Sequence, residues 1–294
     1  MLQEVHFGYI MSRSGPQVST NVSNDSIQVG DILKTQNLEN ALRKEFGNAF
    51  CVFEEIDSTN SYIKREANHL PDGYLVCSLG QTAGRGRFGK SFASPPGGIY
   101  LSMLFRPVFS AEQCFELTPL TAVAVCSAIE RVCNVMPGIK WVNDIVLGER
   151  KICGILSEIV FDDSGGVNYV IIGIGLNVNT ERKSFLPELA EIATSIYEET
   201  GQRNDVATLS AEIAKEIRDA VSAFPGNRDD ILYNYRQRCS TLGRQVRVFT
   251  GEGYYEAYAD RIDDNFHLFV RCEGGECRKL LGGDVSVRGL CGYI

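Results

Sequence analysis

The texture of the sequence changes at Thr241, and this change limits the fold more than any other feature. Beyond it, residues 245–249, 254–262, 267–271, 277–281 and 285–288 read as short extended stretches, separated by glycines or by Asp263-Asp264-Asn265. Five short strands of this kind predict a small closed or nearly closed β-barrel over 241–294. Before Thr241, helical and extended patterns mix. Leu38, Leu42 and Phe46 predict a short helix, residues 50–56 a strand, and Asp57-Ser58-Thr59-Asn60 the cap of a helix running to about Leu70. Strands are predicted over 74–80, 98–105, 139–142, 144–147, 152–161 and 169–178, the last two joined by the turn residues Asp162-Asp163-Ser164-Gly165-Gly166. Helices are predicted over 118–135, 208–224 and 229–239. The fold class is α+β: a mixed β-sheet with helices over 37–240, then the small barrel. Residues 1–36, rich in Ser, Asn, Gln and Val, are expected to form a loosely ordered tail.

A formal net charge of -8 counts against a nucleic-acid coat or a polybasic membrane binder. No stretch approaches the roughly 20 apolar residues of a membrane span. The first residues lack the basic-then-apolar pattern of a secretion signal, and a single Arg13 is little support for an organelle signal. Ten cysteines include no C-x-x-C, so reduced thiols in a cytoplasmic protein are expected. Three well-separated histidines leave a zinc site or a His-activated nucleophile without support. The acidic total conceals a local exception, because residues 73–111 hold no Asp or Glu but carry Arg85, Arg87, Lys90 and Arg106.

Three motifs have chemical content. In Gln81-Thr82-Ala83-Gly84-Arg85-Gly86-Arg87-Phe88-Gly89-Lys90, glycines free the backbone to present N–H groups to an anion, and two arginines add forked donors for carboxylate or phosphate. A solvated basic hairpin tip has the same composition. In Lys140-Trp141-Val142-Asn143-Asp144, the only tryptophan sits among hydrogen-bonding side chains, and Lys151 opens the apolar strand that follows. A turn with an edge-protecting lysine is the plainer account. In Ile172-Gly173-Ile174-Gly175-Leu176-Asn177, alternating glycines weaken a strand and mark either something flat against the backbone or a bulge.

The run GRGRFGKSFASPPGGIYLS, the K-W-V-N-D block, R-K-I-C-G-I-L-S-E and G-I-G-L-N-V-N, together with Asp57-Ser58-Thr59-Asn60, resemble the biotin protein ligases in order and spacing. The terminal Leu281-Gly282-Gly283-Asp284-Val285-Ser286-Val287-Arg288 is similar to that family's SH3-like barrel. The resemblance extends over about residues 50–290. It implies a ligase that joins biotin and ATP into biotinyl-5′-AMP, with Mg²⁺, and passes biotin to one lysine of a biotin carboxyl carrier domain. It implies that Ser58, Thr59, Asn60 and Gln81 read the ureido ring of biotin. Gly84, Arg85, Gly86 and Arg87 would surround the carboxylate and phosphate, and Gly154, Gly173 and Gly175 would wall the ring and its tail. Lys151, with Arg85 and Arg87, would be catalytic. Arg87, Asn143, Lys151, Asn177 and Arg288 would bind the nucleotide, and Asp144 would meet a metal or the acceptor lysine. The Gly-rich loop would also order over the product and exclude water. Lys90 and Phe92 stand where arginine and tryptophan are common, and Val142 where proline is. Lipoate ligases and octanoyltransferases share the fold, and the cysteine nucleophile of the latter directs attention to Cys77 and Cys153. A non-catalytic biotin- or carrier-binding module is a further alternative. The repressor role of bifunctional relatives is not expected, because the first 33 residues show no two-helix pattern. A homodimer through a free sheet edge is compatible with the sequence.

Overall fold

The computed structural model describes residues 25–107, 109–282, 286–290 and 292–294, with side chains from Lys34 onward. The helices are α1 (Asp25–Phe46), α2 (Thr59–Glu66), α3 (Ala111–Phe115), α4 (Leu117–Cys133), α5 (Ile196–Thr200), α6 (Val206–Ala223) and α7 (Arg228–Arg238). Strands β1 (Phe50–Phe53), β2 (Leu75–Ser78), β3 (Gly98–Phe105), β4 (Gly138–Lys140), β5 (Asp144–Leu147), β6 (Arg150–Phe161) and β7 (Val167–Asn177) form one sheet in the order β1-β2-β3-β7-β6-β5-β4. Among the described strands of this sheet, β1 and β2 are the pair that runs parallel, and α2 supplies the crossover such a pair requires. The mixed sheet with helices is as expected.

Two faces of the sheet have different partners. The sequence of α4 is apolar on nearly every side, which suits a helix enclosed by the sheet, α6 and α7. On β7, Val170, Ile172, Ile174 and Leu176 point into that large core. The alternate residues Tyr169 and Ile171 point to the other face, where they pack with Ile63 and Ala67 below α2. Gly173 and Gly175 continue that second face, so the period of two turns an apolar floor into open backbone beside the start of α2.

Some boundaries differ from expectation. The helix predicted around Leu38 begins at Asp25, so residues 25–36 are helical and not part of a tail; residues 1–24 lie outside the described residues. Gly30 and the surrounding polar residues of low helix propensity obscured it. The sequence reading also missed α3 and α5, each five residues long and too short to show a periodicity. Ser110 and Ser195 start them by capping the backbone N–H groups of Gln113 and Glu198.

After α7, strands β8 (Gln245–Thr250), β9 (Gly253–Ile262), β10 (Leu268–Cys272), β11 (Cys277–Leu280) and β12 (Ser286–Gly289) form an antiparallel sheet in the order β11-β10-β9-β8-β12. No pairing joins its edge strands β11 and β12 among the described residues. The module is pinned to the first sheet through Trp141, whose backbone N–H donates to Thr241 Oγ1 at 2.9 Å and whose indole N–H donates to the Phe266 carbonyl at 2.9 Å. Arg236 adds a hydrogen bond of 2.8 Å to the Ile262 carbonyl.

Candidate functional site

Two adjoining cavities open on the α2 face, sharing Gly86, Arg87 and Asn143 in their walls. The deep part of the first is lined by the uncharged groups Ser58, Thr59, Asn60 and Gln81, with Gly154, Gly173 and Gly175 as its floor and Phe92 above, while Arg85 and Arg87 stand at its rim. Ser58 caps α2, accepting the Ser61 N–H at 3.4 Å, which leaves Thr59 and Asn60 turned toward the sheet. Gln81 Oε1 accepts the Thr59 N–H at 2.9 Å, and Gln81 Nε2 donates to Ser94 Oγ at 3.0 Å. Buried Ser102 lies within hydrogen-bond distance of Thr59 Oγ1 (2.7 Å) and Asn60 Oδ1 (2.5 Å). Asn60 Nδ2 in turn donates to Glu158 Oε2 at 2.9 Å.

The glycines make this network fit. A Cβ on Gly173 would overlap Asn60 Oδ1, and one on Gly175 would overlap the Phe92 ring. A Cβ on Gly154 would lie 3.0 Å from both Phe92 and Lys151 Nζ.

The second cavity is cationic. Arg87, Lys90, Lys140 and Arg288 line it, together with Asp144 and Tyr293. Arg87 passes between the two cavities, donating to Asn143 Oδ1 at 2.7 Å and to the Gly282 carbonyl. Lys151 stands at the junction, its Nζ 2.6 Å from Asp144 Oδ1. Burial raises the Asp144 carboxyl, but Lys151 and Lys140 more than offset this and hold it below the usual carboxylate range. Lys140 is 5% exposed, with its ammonium 3.8 Å from the centre of the Tyr293 ring. Burial, opposed by Asp144 and reinforced by Lys151, Arg288 and Arg87, lowers it to about 8.

Among the described residues of this cavity, Asp144 is the carboxylate, and both its oxygens already accept hydrogen bonds: Lys151 and Asn143 on Oδ1, Tyr293 on Oδ2. No group of three His, Cys, Asp or Glu fit to hold a metal occurs among the described residues. These residues do not fit a protein-held Mg²⁺.

Several expected residues are placed differently. Gly84 does not line either cavity; its carbonyl accepts the Phe92 N–H at 2.8 Å. The Gly86 N–H, expected to face an anion, donates to the Lys90 carbonyl at 2.7 Å and closes the loop on itself. Arg85 lines the first cavity, but its guanidinium is 3.5 Å from Glu158. Asn177 is buried outside both cavities and donates to the Thr194 carbonyl at 3.0 Å, leaving its Oδ1 without a partner. It thereby holds the segment whose Ile192 carbonyl and Thr194 N–H bond the Lys151 backbone at 2.8 Å each. Cys77 and Cys153 face the helix-covered core, where burial pushes both thiols far up, which unfits them as nucleophiles.

Residues 52–177 match the model of the biotin/lipoate A/B protein ligase family, a span containing every residue that lines the first cavity. A bifunctional ligase/repressor BirA of Bacillus spizizenii is 32% identical over 253 residues, which cover 84% of this chain and 76% of that protein. The chain belongs to the biotin protein ligase family. A biotin--[acetyl-CoA-carboxylase] ligase of Mycobacterium tuberculosis is 29% identical, covering 73% of this chain and 79% of the relative. Among solved structures, the biotin protein ligase of Aquifex aeolicus in complex with biotin and ATP superposes with a TM-score of 0.71 at 26% identity, covering 82% of this chain and 98% of that one.

Within this biotin protein ligase fold, the sequence reading left Ser102, Glu158, Lys140 and Tyr293 without roles. Ser102, Glu158 and Lys140 lie inside the quoted blocks, and charge or polarity in an apolar strand was their signal. Tyr293 lies beyond every motif, and nothing local marks it.

Proposed function

We propose that this chain activates biotin with ATP and transfers it to a lysine of a biotin carboxyl carrier domain. The observation that carries this reading is a cavity whose uncharged, hydrogen-bonding inner part leads past Arg87 and Asn143 into a cationic one, with Lys151 between them. The neutral cavity suits a ureido ring, whose N–H groups and carbonyl need uncharged partners; Ser58, Thr59, Asn60 and Gln81 supply them. Lys90, Lys140 and Arg288 take the polyphosphate, and Mg²⁺ enters with the nucleotide, not on a protein carboxylate.

In the first step a biotin carboxylate oxygen attacks the α-phosphorus, the bond to pyrophosphate breaks, and biotinyl-5′-AMP forms. Two anions must meet, so fixed cations are the main help available. Arg87 and Lys151 neutralise the carboxylate and α-phosphate together, while Arg85 contributes through its pair with Glu158. Asn177 acts behind Lys151 by fixing the strand that bonds it. In the second step the acceptor lysine, after losing one proton to solvent, attacks the biotinyl carbonyl as a neutral amine; the bond from the carbonyl carbon to the AMP oxygen breaks, AMP leaves, and the second amine proton passes to solvent. Asp144, held anionic, attracts the incoming ammonium.

The carrier approaches along β6. Beyond Gly154, where its pairing with β5 ends, β6 has no strand partner on that side among the described residues. An extended hairpin adds naturally to such an edge, and so does a second copy of the chain. The compartment proposed is the cytoplasm, which keeps thiols such as Cys77 and Cys153 reduced. Biotin-dependent exchange of labelled pyrophosphate into ATP, without carrier, tests the first step. Exchange that requires biotin is expected, and exchange indifferent to biotin would refute it.

A further inference from the structure

The last residues of the sequence reach into the cationic cavity. Tyr293 and Ile294 are buried and pack with Val146 and Ile192. The Tyr293 O–H donates to Asp144 Oδ2, while Asp144 Oδ1 receives Lys151 Nζ at 2.6 Å and Asn143 Nδ2 at 3.3 Å. The carboxylate is thus fixed from both sides, and its plane sets where the Lys151 ammonium rests. The ring of the same tyrosine receives Lys140, 3.8 Å from its centre. An aromatic face attracts a cation without offering an oxygen, so Lys140 is held apart from the Asp144–Lys151 pair and remains turned toward the cavity.

We propose that Tyr293 is a positioning residue for adenylate formation, acting through Asp144 on Lys151 and joining the C-terminal module to the reacting centre. This inference rests on the ligase reading above. Tyr293 itself does not line the first cavity, which meets this network only through Asn143 and through β6, the strand that carries Lys151.

The test uses the full chain with Tyr293→Phe, which keeps the ring and the packing and removes only the O–H. The expected result is a fall in kcat for biotinyl-adenylate formation on the order of tenfold, with the biotin KM unchanged within about twofold and a melting temperature lowered by no more than a few degrees. Asp144→Ala supplies the second axis. If Tyr293 acts through Asp144, adding Tyr293→Phe to Asp144→Ala lowers kcat no further, whereas losses that multiply would overturn the inference. A Tyr293→Phe enzyme with wild-type kcat would also overturn it while leaving the ligase reading intact. Wild-type protein that forms no adenylate would overturn both.

Discussion

The two cavities are neighbours, yet they are built on opposite principles. The first lies wholly within the larger module: the first turn of α2, β3, β6 and the glycines of β7, closed by the segment between β2 and β3. Its polar groups satisfy one another over short distances, as in the chain from Gln81 through Thr59 and Ser102 to Asn60 and Glu158. The cationic cavity draws on both modules, with Arg288 of β12 and Tyr293 meeting Lys140 of β4 and Asp144 of β5. On the reading proposed above, the difference teaches that recognition of the ring would rest on one module alone, whereas handling of phosphate would depend on docking of the C-terminal module.

Removing the cation between the cavities should have the largest effect. Lys151→Ala is expected to lower biotin-dependent pyrophosphate exchange on the order of a hundred- to a thousandfold, with the fold intact by circular dichroism. Near-normal exchange would remove Lys151 from the mechanism and with it the division between the two sites.

The next change probes the uncharged cavity alone. Gly173→Ala places a methyl group against Asn60 Oδ1, so the Ser102–Asn60–Glu158 chain must shift. The expected cost is roughly 1–3 kcal/mol of stability and a biotin KM raised by about tenfold or more, with the ATP KM nearly constant. An equal rise in both would mean that the cavities are not separable.

The smallest effect belongs to pH. Lys140, lowered to about 8, is charged below that value and loses its proton as pH rises through it. The ATP KM should therefore climb, up to about tenfold, between about pH 7 and pH 9.5, while the biotin KM stays level. Lys140→Met should flatten the ATP profile. A profile unchanged by that substitution would take Lys140 out of phosphate binding.

The same contrast decides how much was legible in the sequence. Ser58 to Asn60 announce a helix cap, and Gly173 and Gly175 announce an open strand face, because capping and period-two patterning are local rules. Gly86 and Asn177 are placed on the ligands by resemblance, but the Gly86 N–H bonds within its own loop, although Gly86 lines both cavities, and the Asn177 amide bonds the Thr194 carbonyl; only the folded loop and the Thr194 segment reveal this. Tyr293 could not be read at all, since its partner lies 149 residues away. Lys140 and Trp141 lie side by side yet serve different ends: the lysine faces the cationic cavity, while the indole is a pin to the C-terminal module. Composition near them gives no means of separating those roles.

The most direct measurement incubates the full-length protein with ATP, Mg²⁺, a biotin acceptor domain and either labelled biotin or labelled lipoate. The account predicts that biotin alone is transferred, to a lysine of the acceptor, with one AMP released for each label. Transfer of lipoate alone, or of neither, would contradict it.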